Sequence, residues 1–136
     1  MSGSDACPIC GSPLHHPLAS YCKRCKKLLD RVDIRKRPDK AARVRALQEA
    51  WDGEAFRCYY SGVRLSEDNP RDPRYLTFDH RIPRREVDVV VTAAVLNDMK
   101  SDMADDEFKV MILQLASRFN GGEFDESVFN LKYWKR

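Results

Sequence analysis

The chain has 136 residues, 43% hydrophobic and 33% charged, with a net charge of +3. That suffices for one small domain or a domain plus a module, and no apolar run approaches the roughly 20 residues of a membrane helix. The opening MSGSDACPIC has no apolar leader core, so a cytoplasmic location without membrane contact is expected. Charge is unevenly spread. Lys23 to Arg45 holds eleven Lys or Arg against three Asp, a surplus of +8; Asp98 to Glu126 holds eight acids against three bases, a deficit of −5. A basic segment of this kind suits a polyanion partner; the plainer alternative is a solvated face or linker.

In chain order, cysteines come first. Cys7-Pro-Ile-Cys10 and Cys22-Lys-Arg-Cys25 are two C-x-x-C pairs with eleven residues between them. Two such knuckles place four thiolates around one structural Zn²⁺, as in a small finger or ribbon. Gly11 suits the tight knuckle turn, and Lys23 and Arg24 favour thiolates. Disulfides fit poorly in a cytoplasmic chain. His15 and His16 are rival ligands, but four cysteines already satisfy zinc, so they read as loop residues. Cys58 is left over and reads as a core thiol.

The zinc module is expected over residues 5–28, too small to fold without its metal. A basic connector and helix follow over 29–54. Asp39 caps KAARVRALQEAW, with Ala42, Leu47, Ala50 and Trp51 on its apolar stripe and Gly53 ending it. FRCYYSGVRL reads as a hairpin turning at Ser61-Gly62, SEDNPRDPR as a loop and YLTF as a strand. EVDVVVTAAVL reads as a strand running into a helix. Asp102 is expected to cap MADDEFKVMILQLASRFN, with Phe108, Ile112, Leu115 and Phe119 buried and Gly121-Gly122 as the stop. FDESVFNLKYWKR is a weaker helix with a basic aromatic end.

The YLTF strand runs into Asp79-His80-Arg81-Ile82-Pro83, with further arginines at 84 and 85. A second strand and a helix beginning near Asn97-Asp-Met-Lys100 follow. The order Asp-His-x-x-Pro then Asn-x-x-Lys resembles the HNH nucleases, whose core is a ββα-metal finger, and CYYSGVRL resembles that family's opening hairpin. The resemblance covers residues 56 to 110. It implies an α+β fold: a small ββα-metal nuclease core with flanking helices over 55–136, behind the N-terminal zinc module.

The same resemblance implies a metal-dependent endonuclease hydrolysing phosphodiester bonds in DNA, with RNA as an open alternative. His80 is then the general base, its ordinary pKa lying near neutrality. Asp79 and Asn97 are hard oxygen ligands suited to one catalytic Mg²⁺ or Mn²⁺. Adjacent strand residues point to opposite faces, so the strand must bend or end there for both to serve one site. The family's middle Asn, which braces the histidine loop, is replaced by Asp88, nine residues before Asn97; Asp lacks the amide donor. Arg81, Arg84, Arg85 and Lys100 are expected on flanking phosphates, with Arg35, Lys36 and Arg37 of the connector adding affinity. The rival function is a non-catalytic zinc-containing nucleic-acid-binding protein in which Asp79 and His80 are structural.

Overall fold

The computed structural model describes residues 5–31, 40–83, 85 and 87–134. Arg35, Lys36, Arg37 and Arg84 therefore lie outside the described residues, as does the expected cap Asp39.

The cysteine end is built from tight turns. Ala6 and Pro13 form an antiparallel bridge. Inside it the Cys7 N–H donates to Ser12 O at 2.7 Å and the Gly11 N–H to Cys7 O at 2.8 Å. Gly11 has φ +76°, a conformation that costs any residue with a Cβ. Cys22 then caps α1 (Lys23–Leu29), its Sγ accepting the Cys25 N–H at 3.4 Å. Lys26 and Lys27 in the last turn oppose the negative end of the helix.

Helix α2 (Lys40–Ala50) buries Ala42, Ala46 and Leu47, the four-residue spacing of one helical face. The Trp51 and Phe56 rings meet at 5.0 Å, and the Arg24 guanidinium of α1 lies 4.9 and 5.2 Å from their centroids. Between them Gly53 turns at φ +104°.

FRCYYSGVRL forms less sheet than its composition suggests. One bridge joins Arg57 to Arg64, Cys58 N–H donates to Val63 O at 2.9 Å, and Tyr59 N–H is spent on Val91 O of the next hairpin. That hairpin is the two-stranded antiparallel sheet of β1 (Leu76–His80) and β2 (Val89–Ala93). Its register pairs Leu76 with Ala93, Phe78 with Val91, Asp79 with Val90 and His80 with Val89. The strand expected at YLTF thus carries on through Asp-His. Helix α3 (Ala94–Lys100) begins directly after β2, and α4 (Asp105–Phe119) follows a four-residue turn. The chain is thus a mixed α and β protein with a four-cysteine cluster near its N-terminus. One buried cluster runs from Cys7, Cys22 and Cys25 through Leu28, Leu47 and Phe56 to Leu76 and Val91.

Two local expectations are corrected. Asp102 is not the cap of α4: the helix starts at Asp105, and the Glu107 carboxylate reaches back to the Ala104 N–H at 2.9 Å. The stripe expected to be buried along α4 is buried only at Phe108, whose ring meets Tyr60 edge-on at 5.2 Å. Ile112 and Phe119 are exposed, Phe119 by 81%. Periodicity finds an apolar face but cannot say whether another element covers it. Among the described residues after α4 the tail forms a short 3-10 helix, Glu126–Phe129, and the preceding Asp125 N–H reaches α4 at Gln114 Oε1, 2.8 Å away.

Candidate functional site

The Sγ atoms of Cys7, Cys10, Cys22 and Cys25 all lie within 4.8 Å of one another, close enough to hold one metal ion such as zinc. The two knuckle turns and the α1 cap aim them inward. Burial opposes ionisation of Cys7, yet backbone hydrogen bonds from Cys22, Cys10 and Ile9 bring its thiol down to about 7. Burial, followed by the neighbouring thiols, pushes the enclosed Cys25 far up. Four crowded thiols do not all ionise side by side without a cation among them. A soft divalent ion would supply it. Outside this group, His16 is an exposed loop residue whose Nδ1 accepts the Leu18 N–H at 3.0 Å. Cys58 is a core thiol accepting the Ala93 N–H at 3.3 Å.

The second locus lies where β1, β2 and α3 meet. Thr77 and Asp79, two apart on β1, share a face, and α3 lies against it. Asn97 Nδ2 donates to Thr77 Oγ1 at 3.2 Å, and Thr77 in turn donates to Thr92 O at 2.9 Å. This fixes the amide orientation and leaves Asn97 Oδ1 without a donor among the described residues. One turn on, Lys100 Nζ donates to the His80 carbonyl at 2.9 Å and pairs with Asp79 Oδ2 at 3.2 Å.

Lys100 is 1% exposed, which corrects the expectation that it reaches phosphate. Its position at the end of α3, followed by Ser101 at φ +51°, turns its side chain under the hairpin. The Asp79 oxygen is enclosed, and its ion pair with Lys100 lacks hydrogen-bond alignment. Burial pushes the Asp79 carboxyl above its ordinary value, with Lys100 opposing. His80 ends the strand at the next register position, half-buried, with Nε2 out of solvent.

Asp88 stands across the loop. Arg81 N–H donates to Asp88 O at 2.8 Å, and the Arg81 guanidinium reaches Asp88 Oδ1 at 3.3 Å and Asp105 Oδ2 at 3.0 Å. Arg81 is therefore tied to two carboxylates and braces the loop. Where Asp88 lacks an amide donor, Arg81 provides the donor. Arg85 is exposed on the same loop, its N–H donating to Ile82 O at 3.1 Å.

Sequence reasoning missed Thr77, Asp105 and Tyr60. Thr77 was legible as the residue two before Asp79, hence on its face. Asp105 stood in an acidic run with nothing to single it out. Tyr60 has an enclosed hydroxyl with no hydrogen-bond partner among the described residues. Its pKa is raised by burial first, then by the Asp79 and Asp105 carboxylates.

Asp79 Oδ2 and Asn97 Oδ1 are oxygen atoms of the type that Mg²⁺ takes, but Asp79 Oδ2 is enclosed, with Lys100 Nζ 3.2 Å away. Lys100 competes for Asp79. Among the described residues, the four cysteines are the one group of three or more His, Cys, Asp or Glu placed to hold a metal. Compared with protein-family models, curated proteins and solved structures, the chain matches none.

Proposed function

We propose that the chain is a metal-dependent endonuclease of the HNH kind, hydrolysing phosphodiester bonds in DNA and assisted by a zinc-bound N-terminal end. The observation that carries this reading is the Lys100 clasp. A single amino group holds both the Asp79 carboxylate and the His80 carbonyl, while Asn97, three residues earlier on α3, is tied to Thr77 on the Asp79 face. Residues separated by up to 21 positions, and matching a nuclease motif in order, thus gather at one hairpin end.

His80 would take the proton from the attacking water, with its backbone held still by Lys100. Asp79 and Asn97 would hold a Mg²⁺ or Mn²⁺ ion, which stabilises charge on the scissile phosphate and leaving oxygen when bound. Arg81 contributes by fixing the loop, and the exposed Arg85 supplies a cation for phosphate. Four thiolate ligands suit a structural rather than a catalytic zinc.

One observation favours the rival reading of a non-catalytic nucleic-acid-binding protein: Lys100 already neutralises Asp79, as in a purely structural ion pair. Cleavage of supercoiled plasmid with Mg²⁺ or Mn²⁺, with and without EDTA, separates the two. Metal-dependent cleavage abolished by His80→Ala supports the nuclease. Binding without cleavage under either metal supports the rival.

A further inference from the structure

The apolar stripe of α4 leaves the body of the protein part-way along the helix. Phe108 near its start is 4% exposed, Ile112 one turn on is 38% exposed, and Phe119 at the far end is 81% exposed. A second row runs beside it. Asp106, Val110, Leu113 and Ser117 recur at the three- and four-residue spacings of one helical face, and all four are exposed. Within about three turns the helix thus offers Val110, Ile112, Leu113 and Phe119 to solvent, a gathering rather than the scattered apolar side chains of an ordinary surface. Ala116, small and exposed, lies between Ile112, Leu113 and Phe119 and lets a partner come close. The tail covers a different side: Asp125 N–H donates to Gln114 Oε1 and Lys132 N–H to Glu107 Oε2, two α4 residues seven positions apart on one face.

Charge selects the occupant. Lys109 is spent on Asp105 at 3.7 Å and on the Tyr59 hydroxyl at 3.2 Å. Arg118, five positions after Leu113, falls on the far side of the helix. Along the exposed row, among the described residues, the charges are acidic: Asp106 at its start, and at its end Glu123, whose carbonyl accepts the Ser117 hydroxyl at 3.3 Å. Nucleic acid and anionic lipid are repelled by such a rim. A second copy packed antiparallel on the same face would set Asp106 of one helix towards Glu123 of the other, like charge on like. A cationic partner meets no such penalty. We propose that the outer half of α4 is a docking site for a cationic amphipathic helix of another protein, its apolar side on Ile112, Leu113 and Phe119 and its lysines or arginines along Asp106 and Glu123. The proposal goes beyond the nuclease reading and stands without it, because it concerns a protein partner at a separate face.

The test is an amide NMR titration of the full chain with a synthetic amphipathic helical peptide of leucine and lysine, and with its counterpart in which glutamate replaces lysine. The lysine peptide should shift the amides of Asp106 to Glu123, bind at least about tenfold tighter than the glutamate peptide, and weaken as salt is raised. Leu113→Ser together with Phe119→Ser should weaken it at least about tenfold through lost apolar contact. Both side chains are exposed, so the fold survives the change. Asp106→Asn with Glu123→Gln should narrow the preference for lysine over glutamate at least about threefold, the scale of two surface ion pairs. Equal binding of the two peptides overturns the charge match. Shifts away from α4, or none with either peptide, overturn the site. A dimer seen by light scattering and dispersed by the Leu113→Ser, Phe119→Ser variant gives the face to a second copy instead. Binding of phosphatidylglycerol vesicles that the same variant loses gives it to a membrane.

Discussion

At the N-terminal end four thiols stand within 4.8 Å of one another; at the hairpin a single enclosed carboxylate, Asp79, stands 3.2 Å from a lysine of the same chain. Both places bury ionisable groups, and they balance the charge differently. The cysteines could hold a metal, which would have to come from outside, so that end would be complete only in the loaded protein. The carboxylate has a resident cation, so the hairpin end holds its shape without one from outside. The thiol cluster would thus act as a folding element once loaded, whereas the Asp79–Lys100 pair is balanced within the chain itself.

The comparison breaks first if the metal at the cysteines proves dispensable. Structural zinc contributes about 10–16 kcal/mol in finger peptides, as much as the about 5–15 kcal/mol that holds a whole domain together. Elemental analysis should therefore find one zinc per chain, and chelation, or Cys25→Ala, should abolish it and lower the thermal midpoint sharply. A melt unchanged after complete chelation would show that the thiols are merely core residues.

Next in size is Lys100. Lys100→Met leaves Asp79 buried without its cation, at a cost of about 3–5 kcal/mol in a denaturant titration. Adding Asp79→Asn should recover part of that loss, because the uncompensated charge goes with it. A loss below about 1 kcal/mol in the single variant would mean that water reaches Asp79 freely.

His80→Ala should lower plasmid cleavage at least about 10²-fold and leave DNA affinity nearly unchanged, since a neutral imidazole contributes little to phosphate binding. Equal losses of binding and cleavage would make the residue structural.

A smaller effect concerns acid. Burial alone would raise the Asp105 carboxyl, but Arg81, Lys109 and Tyr59 hold it below its ordinary value. Its stabilising effect is therefore present above the unfolded pKa of about 4 and is lost as pH falls through the depressed folded value. Arg81→Gln should flatten this acid limb of the stability curve, read from denaturant midpoints at successive pH values. The smallest change is expected for Asp88→Asn. Its partly exposed pair with Arg81, 3.3 Å long, contributes no more than about 1 kcal/mol, so midpoints of variant and parent should nearly coincide.

Legibility in the sequence followed chemistry. The cysteine cluster was readable because C-x-x-C spacing dictates a local turn whose geometry barely depends on the rest of the chain. The succession of β1, β2 and α3 was readable from β-branched runs and a change of period. Lys100 was not: a lysine at a helix end is ordinarily solvated, and only the approach of α3 to the Thr77–Asp79 face buries it. Phe119 failed in the opposite sense, since an apolar position on an amphipathic helix carries no information about its cover. The loop brace was half-legible. Asp88 stood out by its place nine residues before Asn97, but Arg81 as its complement required the register of β1 on β2.

The cluster that runs from Cys25, Leu28 and Leu29 to Leu47, Phe56 and Leu76 also bears on inheritance. A finger joined to its neighbour by a bare tether can be shuffled between genes like a cassette. Here a cut after residue 31 would strip greasy side chains of their cover on both halves, leaving neither piece soluble. A chimera that borrows the knuckles alone would therefore have to rebuild their underside.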